Sequence, residues 1–356
     1  MQTSIKADTA EPMALDRATL GEVAKYYKEY VNLTKIKEHS MPRTKVTSVR
    51  RLKGKRVINC ESGEPEIPCP GCQKFEGDNL FEIKGVQLDP QCCSCRGQEF
   101  TILSSNVVMA TGMLGIPNRL HVDGESLPYV SNGLKDLDTA VQQMEVHPNS
   151  DPILVVGAGL SAADAVMCAL KQNIPVVHVF RRRADDPKLI YGQLPRSVYP
   201  EYHQMIVMMK ESSSDLGSYK SYPENSVVRF NPDRTVVLKG SDGTHWECKV
   251  SLAIICIGNR PNLSFLPNEG RHLGANEGQP ISSRDNPIDV NPFTMESTAE
   301  PGLFALGPLV GDNFVRFAQG GCLALTRHLA MKNGWVQDTP AGEEDDEGSE
   351  GEDYEE

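Results

Sequence analysis

The stretch "PILVVGAGLSAADAV" (residues 152–166) decides how the rest of the chain is read. Ile153, Leu154, Val155 and Val156 form an unbroken apolar run, the pattern of a parallel strand buried on both faces. Gly157-Ala158-Gly159-Leu160-Ser161-Ala162 follows with G-x-G-x-x-A spacing. In such a turn the first glycine permits a tight bend and the second lets a pyrophosphate approach the backbone. The small third residue lets helix and strand pack closely. Ala163, Val166, Met167 and Leu170 recur at helical spacing, so a helix starts where its free N–H groups and dipole would meet a phosphate. Asn173 and Pro175 end it, and Val176–Phe180 reads as a second parallel strand. Strand, turn, helix and strand in this order favour a dinucleotide cradle over a glycine turn kept for packing. Its cofactor-binding residues are Gly157, Gly159, Ser161 and Ala162.

The end of that second strand bears on which nucleotide is held. A unit that prefers NAD places Asp or Glu about 20 residues after the first glycine, to accept from the ribose 2′-OH. Here the strand runs into Arg181-Arg182-Arg183, and the first acids, Asp185 and Asp186, come later. Guanidinium groups suit a 2′-phosphate, so Arg181 and Arg182 point to NADPH. The alternative is a solvated surface turn.

The 356 residues suffice for two ordinary domains, and the hydrophobic (39%) and charged (24%) fractions are those of a globular protein. The net charge of −12 is concentrated at one end. Residues 343–356, "EEDDEGSEGEDYEE", hold ten acids and no base; removing those ten from the 48 acidic residues leaves 38 against 36 basic ones. Lacking aliphatic side chains, this tail is expected to be disordered, either a solubilising appendage or a docking segment for a basic protein partner. A nearly neutral body with an acidic tail argues against nucleic acid as partner. No apolar run approaches the length of a membrane span, and "MQTSIKADTAEP" is not a signal peptide. The expectation is a soluble, cytoplasmic chain.

Of the ten cysteines, Cys168, Cys248, Cys256 and Cys322 lie singly in apolar segments and read as buried thiols. Cys60 and Cys93 accompany the spacing Cys69-x2-Cys72-x19-Cys92-x2-Cys95, which falls in the zinc-ribbon range. Against zinc, "NLFEIKGVQL" (79–88) reads as a strand of a meander continuing in "EFTILSSNVVMATG" (99–112). That strand would part the two pairs by about 25 Å, too far to share one ion. Both readings stand, with no metal site as the default. Elsewhere, "LDRATLGEVAKYYKEYVNL" (15–33) gathers Leu20, Val23, Ala24, Tyr27, Tyr30 and Val31 on one helical face. "TKVTSVRRL" (44–52) alternates as a strand, and short strands are expected at 226–230 and 234–238. "VSLAIICIGNRPNLSFL" (250–266) reads as a buried strand ending in a glycine turn. Residues 302–332 read as strand, turn and helix.

These pieces resemble flavoproteins with two dinucleotide-binding domains, the fold of flavin-containing and N-hydroxylating monooxygenases. The strand ending in Ala110-Thr111-Gly112 looks like the segment where the chain crosses between the two domains, and "AIICIGNRPN" like its return. "LFALGPLVGDN" looks like the segment whose Gly-Asp binds the flavin. On that match Gly311, Asp312 and Asn313 join Thr111 and Gly112 as cofactor-binding residues, with Asp312 on the ribityl chain and the helix starting near Phe314 aimed at the ring. Asp312 as a helix cap is the alternative. "DPILVVGAGLSAADAVMCALKQNIPVVHVFRRRADDPKLIYGQLPRSVYPEYH", "NPIDVNPFT" and "LFALGPLVGDNFVRFAQGG" narrow the match to the oxidative stress-induced growth inhibitor family, strongly over 105–332 and weakly over 15–56. The resemblance implies NADPH-dependent, FAD-linked, monooxygenase-like chemistry on a small-molecule or protein substrate. It also implies a role in proliferation, cell death and cytokinesis at the midbody.

The architecture this implies is α/β, with two Rossmann-like dinucleotide-binding domains. A discontinuous FAD-type domain spans 1–130, with a Cys-rich meander at 56–104, and resumes at 258–335. An NADP-type domain at 131–257 is inserted in it, and a disordered acidic tail occupies 336–356. One departure matters. Before residue 54 the only glycine is Gly21, inside a helix, so the N-terminal FAD fingerprint is absent and the chain reads as starting after the first βαβ unit. That keeps a second reading open, a non-catalytic NADP-binding regulator. No catalytic side chain is nameable, and His203 in "YPEYH" reads as a helix-surface histidine.

Overall fold

The computed structural model describes residues 20–52, 80–88, 97–113, 115–211, 218–313 and 315–336. The apolar run Ile153–Val156 is strand β7, with all four side chains buried. It lies at the centre of a five-stranded parallel sheet with Val130–Ser131 (β6), Leu252–Ile255 (β13), Val176–Phe180 (β8) and Tyr219–Pro223 (β9), in the order β6-β13-β7-β8-β9. Successive residues of a strand face opposite sides, and here both sides are dry. Ile153, Val155, Val176, Phe180 and Ile254 pack with the helices Leu134–Gln142 (α2), Leu160–Lys171 (α3) and Pro200–Glu211 (α5). Leu154, Val156, Val177, Val179, Ala253 and Ile255 pack against an antiparallel sheet of Ser226–Phe230 (β10), Thr235–Lys239 (β11) and His245–Lys249 (β12). Burying one such aliphatic side chain contributes about 1.5–3 kcal/mol, which is why a charge anywhere in β7 would not be tolerated.

The remaining strands build a second region. Thr44–Leu52 (β1), Leu80–Leu88 (β2) and Gly97–Ser104 (β3) form an antiparallel meander. Val107–Met109 (β4) pairs in parallel with Leu303–Ala305 (β15). A core of Val49, Phe81, Met109, Leu263, Leu273, Ile288, Leu303 and Leu309 joins them. The chain leaves this region through Ile116–Pro117 (β5) and returns through Asn259–Arg260 (β14), and the two passes are hydrogen-bonded to each other as antiparallel neighbours.

Several expectations need correction. Residues 99–112 do not run on as one strand. The Ser104 hydroxyl donates to the Asn106 carbonyl (2.6 Å) and accepts from the Asn106 N–H (3.3 Å). These side-chain bonds close a turn in place of the ladder, and β4 leaves for another sheet. Helix Leu20–Leu33 (α1) forms where expected, but Val23, Tyr26, Tyr27, Tyr30 and Leu33 are exposed, and among the described residues nothing covers that face. Of the four lone cysteines only Cys256 is buried; Cys168 and Cys248 are half-buried and Cys322 is exposed on the C-terminal helix. Strands β9 and β12 had no readable signal, because "YKSYP" and "HWECK" lack an aliphatic run. The Cys69, Cys72, Cys92 and Cys95 cluster, the Cys60 and Cys93 thiols and the acidic tail lie outside the described residues. Among those described, no helix is long and apolar enough to cross a membrane.

Candidate dinucleotide site

The turn after β7 stands at the C-terminal edge of the parallel sheet, where ligands of such sheets bind. Gly157 has φ +123°, a conformation side chains rarely adopt, and a Cβ there would lie 2.3 Å from the Cys256 carbonyl oxygen. The close passage of β13 therefore requires this glycine. Gly159, which precedes α3, has open space where a Cβ would go. Ala162 is fully buried against the strand, and Ser161 is exposed beside the turn. The N–H groups of Ala158, Gly159, Leu160 and Ser161 have no acceptor among the described residues. These four donors stand at the start of a twelve-residue helix, with the positive end of its dipole behind them, an arrangement of the kind that can accept an anion.

The other side of the turn is tied down. The Gly157 N–H donates to the Val179 carbonyl (2.9 Å). His178, in β8, is fully buried; its Nε2 lies 2.7 Å from the Gly157 carbonyl and its Nδ1 2.8 Å from the Tyr219 hydroxyl. A carbonyl only accepts, so Nε2 carries the proton and Nδ1 accepts from Tyr219. Burial pushes the His178 pKa down to about 4, partly offset by the Gly157 bond, so the ring is neutral. Tyr191, in the short helix Ile190–Gln193 (α4), is also fully buried and donates to the Gly159 carbonyl at 2.7 Å. That carbonyl accepts from the Ala162 and Ala163 N–H groups as well. Burial pushes the Tyr191 and Tyr219 hydroxyls far up, so both remain donors.

At the end of β8 the three arginines differ. Arg183 is bidentate on Asp185 (2.9 and 3.0 Å), and Arg182 Nη1 lies 2.8 Å from Asp186. Those hydrogen bonds hold both carboxyls below their ordinary range. Arg181 is exposed and makes no ion pair among the described residues. Of the two arginines expected at a 2′-phosphate, one is therefore open and one is shared with an acid. His203, in α5, is half-buried with Nε2 2.8 Å from the Leu194 carbonyl, which anchors the helix rather than facing the turn.

Thr111 and Gly112 follow β4, and Gly311, Asp312 and Asn313 follow β15 and the 3-10 turn Gly307–Val310. Because β4 and β15 pair in parallel, with Val107 opposite Leu303 and Met109 opposite Ala305, both segments leave from the same end of the pair. Gly112 (φ +67°), Gly307 (+65°) and Gly311 (+94°) are all left-handed. The Asp312 N–H donates to the Gly307 carbonyl (3.1 Å), and Asn313 Nδ2 donates to the Gly311 carbonyl (2.9 Å). The Asp312 carboxylate has no hydrogen-bond partner among the described residues, and the residue stands three positions before Val315, where the C-terminal helix Val315–Lys332 (α6) begins.

Residues 81–307 match the family model described as pyridine nucleotide-disulphide oxidoreductase. The chain belongs to that family. Its curated relatives include Oxidative stress-induced growth inhibitor 1 of Homo sapiens, 42% identical over 320 residues, covering 89% of this chain and 64% of that protein. Growth inhibitor 2 of the same organism is 40% identical over 326 residues with the same two shares. A Caenorhabditis elegans growth inhibitor homolog is 27% identical over 273 residues, or 72% of this chain and 55% of that one. The resemblance to the growth inhibitors is thus borne out, and the chain spans 64% of the length of the human relatives. Among solved structures, bacillithiol disulfide reductase from Bacillus cereus has TM-score 0.60 at 18% identity, covering 91% of this chain and 82% of that one. Thioredoxin reductase from T. acidophilum has TM-score 0.55 at 15% identity, covering 91% and 84%. Both bear out the fold class.

Proposed function

We propose that this chain binds NADPH at the 157–161 turn and serves as an NADPH-dependent, FAD-linked redox protein in growth control. The observation that carries the reading is the set of four unpartnered N–H groups at the start of α3, opening beside Gly159. In this reading the turn and the α3 dipole hold the pyrophosphate, while Arg181 meets the 2′-phosphate and Arg182 does so after parting from Asp186. The nicotinamide supplies hydride chemistry when bound; the chain's task is to hold and orient it and to keep water out. On the flavin side, the free carboxylate of Asp312 fits the ribityl hydroxyls, with Thr111, Gly112, Gly311 and Asn313 around it. The residues divide accordingly into a discontinuous flavin-side unit (1–130 and 258–335) and an inserted nucleotide unit (131–257). Monooxygenase-like chemistry, and a setting in cytokinesis at the midbody, rest on the resemblance to the growth inhibitors.

The alternative is a nucleotide-binding regulator without turnover. The visible absorption spectrum of the purified chain, before and after adding FAD, separates the two. A bound-flavin spectrum bleached by NADPH supports the redox reading. A colourless chain that still binds NADPH supports the regulator, and failure to bind NADPH overturns both.

A further inference from the structure

The peptide plane links the two sides of the nucleotide turn. In a trans peptide the carbonyl of one residue and the N–H of the next point in opposite directions. His178 draws the Gly157 carbonyl inward at 2.7 Å, so the Ala158 N–H faces outward. Tyr191, together with the Ala162 and Ala163 N–H groups of α3, draws the Gly159 carbonyl inward, the tyrosine at 2.7 Å, so the Leu160 N–H faces outward. These are two of the four orphan donors. We infer that His178 and Tyr191 are positioning residues for the dinucleotide, each fixing one peptide plane of the turn so that its N–H meets the phosphate. The inference rests on the reading that this turn binds NADPH.

The chemistry of the two side chains suits the task. Position 178 lies between Val177 and Val179 in the middle of a parallel strand, where an aliphatic residue would pack without polar partners. The ring is instead fully buried with both nitrogens used, one on the turn and one on Tyr219. Being neutral, it adds no charge beneath a site for an anion; it contributes direction only. Tyr191 arrives from a different element, 32 residues beyond Gly159, and is itself fully buried. Two independent elements thus hold two alternate carbonyls of one three-residue turn. A ligand that needs rigid, pre-aimed donors benefits because the ordering cost is met before binding.

The test measures NADPH affinity of the full chain by calorimetry, with thermal unfolding recorded in parallel. Tyr191→Phe keeps the buried ring and removes only the hydroxyl; the NADPH dissociation constant should rise roughly fivefold, the effect of one lost hydrogen bond. His178→Leu should weaken binding at least as much. His178→Gln, whose side-chain amide reaches about as far as Nε2, should restore affinity close to wild type. If His178→Leu does not fold, Tyr191→Phe and His178→Gln decide the matter. Wild-type affinity in Tyr191→Phe overturns the inference. So does an affinity loss that merely follows thermal stability across all variants, without recovery in His178→Gln. A wild-type chain that binds no NADPH removes the parent reading and this one together, an outcome distinct from equal binding by wild type and variants.

Discussion

The two glycine turns of the molecule, 157–161 and 307–313, are built differently. The first is fixed from below by buried side chains: His178 and Tyr191 take its carbonyls, and the Cys256 carbonyl crowds Gly157. Its free groups are backbone N–H donors. The second is held by the Asp312 N–H on Gly307, by the Asn313 side-chain amide on Gly311 and by the Ile288 N–H on the Leu309 carbonyl (2.8 Å), and the group left without a partner among the described residues is a carboxylate. The first turn thus presents donors, with its carbonyls drawn to the elements behind it. The second offers an acceptor for hydroxyl groups on a turn tied to the chain behind it by the Ile288–Leu309 backbone bond. The lesson is that rigidity in a glycine turn comes from the elements behind it, since glycine itself favours no single conformation.

The contrast can be broken most forcefully at Gly157. Gly157→Ala sets a Cβ against the Cys256 carbonyl in a left-handed backbone and should cost about 3 kcal/mol or more, read as a large drop in Tm. Gly159→Ala has open space and should leave Tm nearly unchanged while weakening NADPH. Equal destabilisation by both would erase the distinction between a packing glycine and a ligand-facing one.

Acid sharpens the comparison next. The folded-state pKa of His178 is lowered to about 4 from the ordinary 6.5, so between those values the unfolded chain binds more protons than the folded one. Stability from this group is complete above pH 6.5 and is lost as pH falls towards 4, by about 3 kcal/mol. His178→Gln should flatten that part of the denaturation profile. An unchanged acid slope in the variant would show that the loss comes from other groups.

Smaller effects follow at the edges of the two turns. Arg181→Gln should raise the NADPH dissociation constant about tenfold and leave NADH nearly unaffected. Arg182→Gln should do less, because its guanidinium is already shared with Asp186 at 2.8 Å, and Asp186→Asn should tighten NADPH by freeing it. Equal losses for NADPH and NADH would remove the 2′-phosphate assignment. Least of all, Asp312→Ala should change stability by under about 0.5 kcal/mol, since its carboxylate bonds to nothing described, and should act only on flavin binding.

The central strand, its turn and α3 were legible because one local pattern carries them: four aliphatics, two glycines at fixed spacing, then small apolar residues at helical period. The braces beneath the turn were not. His178 is written as one polar letter inside "VVHVF", and its role depends on Gly157 and Tyr219, brought to it by sheet pairing. Tyr191 lies in a four-residue helix, too short to leave a period in the sequence. The arginine run suggested a phosphate, but its distribution between Asp185, Asp186 and solvent is a matter of side-chain geometry. For α1 the period shows a face, which is exposed among the described residues, because periodicity specifies a face and says nothing of what meets it.

The paired passes β5 and β14 carry a consequence for the chain's modularity. The Asn118 N–H donates to the Gly258 carbonyl (3.0 Å), so the segment 118–258 enters and leaves at one point. It contains every strand of the five-stranded sheet and both braces of the nucleotide turn. The ends of such a segment adjoin, the geometry that lets a unit be inserted into a host loop or closed on itself by a short linker without stretching its backbone.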